Sequence, residues 1–248
     1  MKSALQVMWH RQIKEYVRNK QRLIVSLVQP LLFLVAFGFG LGSSFESSNG
    51  INYIQYLLPG IVGMTIMMNS TMSGMSLIWD KKFGFLKETL VAPVSRTGLL
   101  FGRCLGSATT GTFQGLVVLF LGYIMGFKLF SWTMFPLAIL SMFLIALLFS
   151  LLGTALATKF DDMQSFPMIM NFLMMPMMFL SGAFFSTSNF PAALQFIVKI
   201  NPFNYCVNIL RFAMSGIESN LLLAFSVMFG IIITLGILGT RLFNKLEA

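Results

Sequence analysis

The chain has 248 residues, 56% of them hydrophobic and only 10% charged, with a mean hydropathy of +0.81. A soluble domain carries about 25% charged residues, so a water-soluble fold is excluded and the composition is that of an integral membrane protein. The formal charge of +9 does not imply a nucleic-acid partner, because the cations stand in short patches beside apolar runs.

The first 22 residues are mostly polar and basic, which does not match a cleavable signal peptide, and the first span is expected to stay in the protein. Leu5, Trp9, Ile13 and Val17 recur every four residues with Met8 and Tyr16 beside them, while Lys2, Arg11, Lys14 and Arg18 take other positions. That spacing predicts an amphipathic helix over residues 1–22 lying in the membrane interface, where the rings of Trp9 and Tyr16 suit the headgroup zone. His10 falls on its polar side with no second ligand at metal spacing, and reads as a solvated residue.

A helical span needs about 20 apolar residues. Six are expected, at 23–42, 56–79, 99–126, 134–158, 166–185 and 221–240. With both termini in the cytoplasm, 14 of the 17 Lys and Arg fall on inner segments and only Lys128, Lys199 and Arg211 on outer ones, a positive-inside bias. The expected location is the cell (plasma or inner) membrane, multi-pass. Cys104 and Cys206 then lie on opposite sides and are read as free thiols.

Residues 80–98 form a charged cytoplasmic loop between the second and third spans. Phe83, Phe85, Leu86, Leu90 and Val91 supply apolar anchors, Lys87, Glu88 and Arg96 supply directional charge, and Pro93 is placed to end a short helix. The third span pairs Gly102 with Gly106, Gly111 with Gly115, and Gly122 with Gly126, each four residues apart on one face, a spacing that lets helices approach closely. Both packing within the chain and a dimer seam are compatible with it.

Pro30, Pro167 and Pro176 fall inside or at the edge of spans and predict kinks in the first and fifth. Asp161 and Asp162 occupy the loop before the fifth span, where solvation and helix capping suit them. The second and fifth spans are rich in Met, whose polarizable, flexible side chain accepts varied apolar partners. Met64, Met68 and Met72 in the second and Met174, Met175 and Met178 in the fifth, with Asn69 and Asn171 as polar groups at membrane depth, are the candidate pathway residues. Packing or lipid contact is the alternative for any single Met. Residues 186–220 are broken by Pro191 and Pro202 into pieces too short to span, which predicts a re-entrant or interfacial outer segment; Arg211 within it must reach water or a partner.

No phosphate-binding G-x-x-x-x-G-K-[ST] motif and no Gly-Lys pair occurs, so no ATP site of that kind is expected on this chain. The midspan regions contain no Asp, Glu, Lys or His of the type that ion-coupled carriers use. Leu180-Ser181-Gly182 lacks the continuation of an ABC signature and reads as a helix end.

The run from Phe83 through Gly84, Phe85, Leu86, Lys87, Glu88 and Thr89 to Pro93 and Arg96, together with Phe179-Leu180-Ser181-Gly182-Ala183-Phe184-Phe185, Ile200-Asn201-Pro202-Phe203-Asn204-Tyr205 and Leu210-Arg211, resembles the permease subunit of type-2 ABC exporters, the class of drug, lipo-oligosaccharide and polysaccharide export permeases. The resemblance covers the whole chain and implies one transmembrane domain over 1–248, all-α, with the 80–98 loop acting as a coupling helix on a separate cytoplasmic ABC ATPase. It further implies a second permease copy, as homodimer or heterodimer, with the second and fifth spans of each lining a central path. No cofactor is expected on this chain; ATP and Mg would be held by the ATPase. The leading expectation is ATP-driven export of an amphipathic drug-like, lipid or glycolipid molecule, with contact to membrane lipid and no chemistry on the substrate. Polysaccharide or teichoic-acid export is the alternative, and an intramembrane lipid-modifying enzyme a third reading, for which only Asp161 and Asp162 offer paired acids.

Overall fold

The computed structural model describes residues 4–40, 53–91, 94–185, 187 and 190–245. Pro93, the expected end of the coupling helix, lies outside these residues, as does the side chain of Leu90. The described chain is all-α. It comprises α1 (Ala4–Arg18), α2 (Lys20–Gly40), α3 (Tyr53–Thr71), α4 (Ser73–Lys82), α5 (Phe85–Val91), α6 (Arg96–Ile124), a 3-10 turn at Trp132–Met134, α7 (Phe135–Ala157), α8 (Ser165–Phe179), α9 (Ala192–Ile200), α10 (Pro202–Ser215) and α11 (Leu221–Asn244).

Among the described residues four helices are long and apolar enough to cross a membrane: Tyr53–Lys82, which joins α3 to α4, Arg96–Ile124, Trp132–Ala157 and Leu221–Asn244. They contain the second and sixth expected spans and cover the third and fourth to within two and one residues of their expected ends. Of the first expected span, 23–40 fall in α2, which meets α1 at a bend of 73°, and 41–42 lie outside the described residues. The fifth is shorter than expected. At 15 residues α8 rises about 22 Å, against a hydrocarbon core of about 30 Å. It stops at Leu180 because Ser181 donates its hydroxyl to Met178 O at 2.6 Å and Gly182 takes φ +73°, a conformation that glycine adopts at little cost. The Leu180-Ser181-Gly182 triplet is thus a helix end.

The core forms around α7, which packs against α3, α4, α6, α10 and α11. Close crossings depend on small residues. A Cβ at Gly102 would lie 2.6 Å from Leu5 O, and one at Gly106 would lie 2.6 Å from Gln12 Cβ, so this pair seats α1. Gly111 and Gly115 meet Ser70, Ala146 and Ile66, and Gly122 meets Leu58. Of the two readings of the glycine spacing, these five positions take packing within the chain.

The α1 helix sits differently from the expected stripe. Met8, Gln12 and Tyr16 are buried against α6, while Trp9 and Val17 remain exposed. The buried line is displaced around the helix because polar contacts fix its rotation: Trp9 Nε1 donates to Thr109 Oγ1 at 3.1 Å, and Tyr16 OH donates to Gln114 Oε1 at 3.4 Å. Leu5, Trp9, Ile13 and Val17 flank this contact instead of forming its centre.

Two prolines free carbonyls that other helices then use. Pro59, inside α3, has no N–H to offer Gln55 O, and Ser215 Oγ donates to that oxygen at 2.6 Å. Pro30 likewise leaves Ser26 O, which accepts from Gln114 Nε2 at 3.4 Å. Each proline therefore creates a polar joint between helices where lipid offers none.

Candidate functional site

A groove of about 250 Å³ opens between α2, α3, α6 and α8. Met64, Met68, Asn69 and Met72 line it from α3 and its junction with α4, and Asn171 and Met174 from α8. Six of the eight candidate pathway residues are thus brought to one place. Three positions of α3 and the junction residue share one face because 64, 68 and 72 are successive i, i+4 steps with 69 adjacent. Met174 is buried and its sulfur accepts from Thr71 Oγ1 at 3.7 Å, which pins α8 to α3.

Met175 and Met178 are not in this wall: Met175 is exposed on the outer face of α8, and Met178 is buried in the main core. Met175 turns about 100° away from Met174, whereas Met178 shares the Met174 side of α8 one turn further along and packs in the core beyond the groove. The sequence reading missed Ser26, Gln29, Thr65 and Gln114, which also line the groove. The signal for Gln114 was available, as a polar amide in the middle of a span, the same property that singled out Asn69 and Asn171.

At one end of the bundle α4 passes through Phe83 and Gly84 into α5. Phe83 and Phe85 are 57% and 54% exposed, and Trp79 stacks on Phe83 with ring centroids 5.3 Å apart. Lys87 and Glu88 are exposed on α5. A second groove, about 610 Å³, runs beneath these rings between Arg11 and Glu15 of α1 and Trp79, Phe83 and Phe85; Met72 lines both this groove and the smaller one.

Leu86 and Arg96 are placed otherwise than as a docking surface would have them. Leu86 is 5% exposed and packs into the core cluster of Leu77, Ile78, Leu99 and Cys104, because a seven-residue helix beside apolar walls buries one face. Arg96 donates from Nη1 to Asn244 O at 2.8 Å, clamping the start of α6 to the last turn of α11. Both residues hold the loop to its own chain.

Behind α5 lies a charge network absent from the sequence reading. Buried Asp80 receives Arg103 Nη2 on one carboxylate oxygen and Arg11 Nη2 at 2.7 Å on the other, while Arg103 Nη1 donates to Ser76 Oγ at 2.8 Å. In the sequence Asp80 is the first residue of the charged 80–98 loop. Lys81 turns the other way and donates to Thr158 O at 3.0 Å, Phe160 O at 3.2 Å and Asp161 Oδ1 at 2.7 Å, satisfying the C-terminal carbonyls of α7. Asp162 accepts from the backbone N–H of Ser165 at 2.9 Å and of Gln164 at 3.2 Å, so it caps the start of α8. The Ser165 hydroxyl first, and these amides next, hold its carboxyl below the usual value.

At the opposite end, polar side chains of the largely apolar α9–α10 segment tie it to the end of α8 and to α3. Asn201 accepts from Phe203 N at 3.0 Å and donates to Met177 O at 2.7 Å and Leu180 O at 3.0 Å, tying the α10 start to the α8 end. Arg211 stacks on the Tyr56 ring with its guanidinium carbon 3.8 Å from the centroid, and Nη2 donates to Gly182 O at 2.9 Å. Arg211 thus reaches protein partners through Nη2 and its ring contact. Cys104 and Cys206 are both free and buried.

These features define a multi-pass helical membrane protein with an amphipathic groove between spans and an aromatic, charged ledge at one end. The chain belongs to the ABC-2 type transporter family, whose model matches residues 3–215, and is a membrane permease subunit of an ABC transporter, a family that works with an ABC ATPase. It is 29% identical over 221 residues to inner membrane transport permease YadH of Escherichia coli K12, covering 87% of this chain and 84% of that one. It is 31% identical over 253 residues to putative transport permease ycf38 of Cyanophora paradoxa, covering 93% and 85%. Nodulation protein J of Rhizobium meliloti is 26% identical over 197 residues, covering 77% and 73%.

Proposed function

We propose that this permease exports an amphipathic drug-like, lipid or glycolipid molecule, driven by a separate ABC ATPase that binds ATP and Mg. The observation that carries the reading is the wall of the small groove, where flexible thioethers from Met64, Met68, Met72 and Met174 alternate with the amides of Gln29, Asn69, Gln114 and Asn171. A surface of that kind suits a ligand with both apolar and polar faces. Polysaccharide or teichoic-acid export is less well supported, because no aromatic ring lines the groove among the described residues.

The ledge of Trp79, Phe83, Phe85, Lys87 and Glu88 is the proposed seat of the ATPase, on the cytoplasmic side, with both termini on that side. Large exposed rings beside paired charges are the composition of an interface centre and its rim. The groove opens beside Asn171 and the exposed Met168, Phe172 and Met175 of α8, an apolar face carrying an amide at membrane depth; a second permease copy covering it would complete a central path. Closure of the ATPase pair on ATP would shift α5 and, through the Asp80 network, α1, α4 and α6 together.

The test uses the permease reconstituted with its ATPase. Phe85→Ser and Glu88→Ala should each leave ATP hydrolysis running while transport of an amphipathic fluorescent substrate falls about tenfold or more, the size of a lost interface anchor. Full coupling in both variants would remove the ledge from this role.

A further inference from the structure

At the end of the bundle opposite α5, a cavity of about 580 Å³ lies between α3, α9 and α10 and the turn after α8. Its wall is polar: Lys199, Asn204, Asn208, Arg211, Gln195 and Glu218 contribute to it. Arg211 is 6% exposed. Its Nη2 is committed to the carbonyls of Gly182, Ala183 and Tyr56, but its Nε is buried with no hydrogen-bond partner among the described residues. Nor does Arg211 form an ion pair among the described residues.

A guanidinium taken out of water strands its donors unless an acceptor reaches them, at a cost larger than that of a neutral group. Tyr56 offers its ring face and its backbone carbonyl, and the three carbonyls all converge on Nη2, which leaves Nε without an acceptor. The structure would close this deficit most simply by adding an oxygen anion. Lys199 is exposed on the same wall and adds a second cation, its backbone carbonyl held by Tyr205 OH at 2.7 Å. Asn204 and Asn208 stand as a hydrogen-bonded amide pair at 3.4 Å, neutral partners for ester or hydroxyl oxygens. Among the described residues Glu218, exposed in the lining, is the one acid, so their wall keeps a net charge of plus one from Arg211, Lys199 and Glu218.

We propose that this cavity binds a phosphate group, either as the headgroup of an anionic lipid or as a free phosphate, with Arg211 as the buried donor and Lys199 as the rim cation. The volume falls in the range of small-ligand sites and exceeds a bare phosphate, leaving room for the alcohol esterified to it. Arginine suits the role because its planar fork meets two oxygens at once. The site is separate from the Met-lined groove and does not depend on what that groove carries.

The permease without its ATPase is placed in phosphatidylcholine nanodiscs, and unfolding is followed by a thiol-reactive dye that reports exposure of the buried Cys104 and Cys206. One arm titrates inorganic phosphate against chloride at matched ionic strength; the other replaces phosphatidylcholine stepwise with phosphatidylglycerol. Saturable stabilisation in the first arm identifies free phosphate, and in the second arm alone a lipid headgroup. In either case Lys199→Gln should weaken half-saturation about threefold, as an exposed charge does. Arg211→Lys should weaken it about tenfold or more, and Glu218→Gln should tighten it. The two rim variants keep the test decisive if Arg211→Lys does not fold. No stabilisation in either arm overturns the proposal. So does stabilisation that ignores Lys199 and Glu218 but disappears in Lys14→Gln/Lys20→Gln, which would place the anion at the bend between α1 and α2.

Discussion

Asp80 and Arg103 form a buried ion pair, at 5% and 2% exposure, and Arg11 reaches the second oxygen of the same carboxylate at 2.7 Å. Through these side chains the amphipathic α1, the end of α4 and the first turns of α6 become one body directly behind the exposed aromatic ledge. A force applied at Phe83 or Phe85 is therefore not absorbed by a loose loop.

Breaking this pair leaves a buried charge without compensation, whereas removing both partners does not. Asp80→Asn should destabilise the protein by about 3–5 kcal/mol, read as a lower unfolding temperature in detergent. Asp80→Leu combined with Arg103→Met should recover much of that loss while still impairing coupling to the ATPase. Unfolding of Asp80→Asn at the wild-type temperature would mean that the network does not hold α1 in place.

The crossing of α4 and α7 depends on Gly74 and Gly153. A Cβ at Gly153 would collide with Thr71 O, and one at Gly74 with Gly153 O, both backbone atoms that cannot turn aside. Gly153→Ala should cost about 1–3 kcal/mol by overpacking, whereas Gly230→Ala on α11, where nothing lies within 4 Å of the added carbon, should be neutral or slightly stabilising. Thermal unfolding of the two variants side by side separates the close crossing from a general effect of glycine replacement.

Asp162 gives a pH signature. Its carboxyl is held below the ordinary value of 3.8 by Ser165 and the Gln164 and Ser165 amides, so the folded state favours the ionised form. The stabilisation is present in full above the unfolded value and is lost as the pH falls through the lower folded one. Hydrogen exchange at the Ser165 amide should stay slow from neutral pH down to about 4 and quicken below it, after correction for intrinsic exchange rates. Asp162→Ala should remove the pH-dependent step and leave exchange uniformly faster; an unchanged profile would show that the cap does not control the α8 start.

Much of this arrangement was legible in the sequence, for identifiable reasons. The spans containing 99–126, 134–158 and 221–240 announce themselves by apolar length, and Pro202 after Asn201 announces the start of α10. The face shared by Met64, Met68 and Met72 follows from helical period alone. What was hidden depended on partners distant in sequence. Asp80 looks like a loop residue until Arg103, 23 positions later, folds over it. Leu86 looks like a docking anchor until α6 supplies a wall for it, and the rotation of α1 was set by Thr109 and Gln114, not by its own stripe. The joint at Pro59 leaves no mark in the sequence because the carbonyl it frees is satisfied by Ser215, 160 positions away from Gln55.

The groove itself provides the last prediction. Met68 and Asn69 are half-buried and line it, whereas the buried Met64 and Met174 also support the core, so substitutions at 68 and 69 perturb the groove with the least effect on folding. Met68→Trp places a rigid ring in a space of about 250 Å³ and should obstruct an amphipathic ligand. Transport should fall about tenfold while basal ATP hydrolysis by the assembled complex persists, since neither residue touches the ledge. Asn69→Leu removes a hydrogen-bonding amide without adding bulk, so it should discriminate among substrates: polar-headed ones lose about 1–3 kcal/mol of transition-state binding, and purely apolar ones little. If both variants carried every substrate at the wild-type rate, the groove would be a packing defect between α2, α3 and α8, and the path would have to run elsewhere in the assembly.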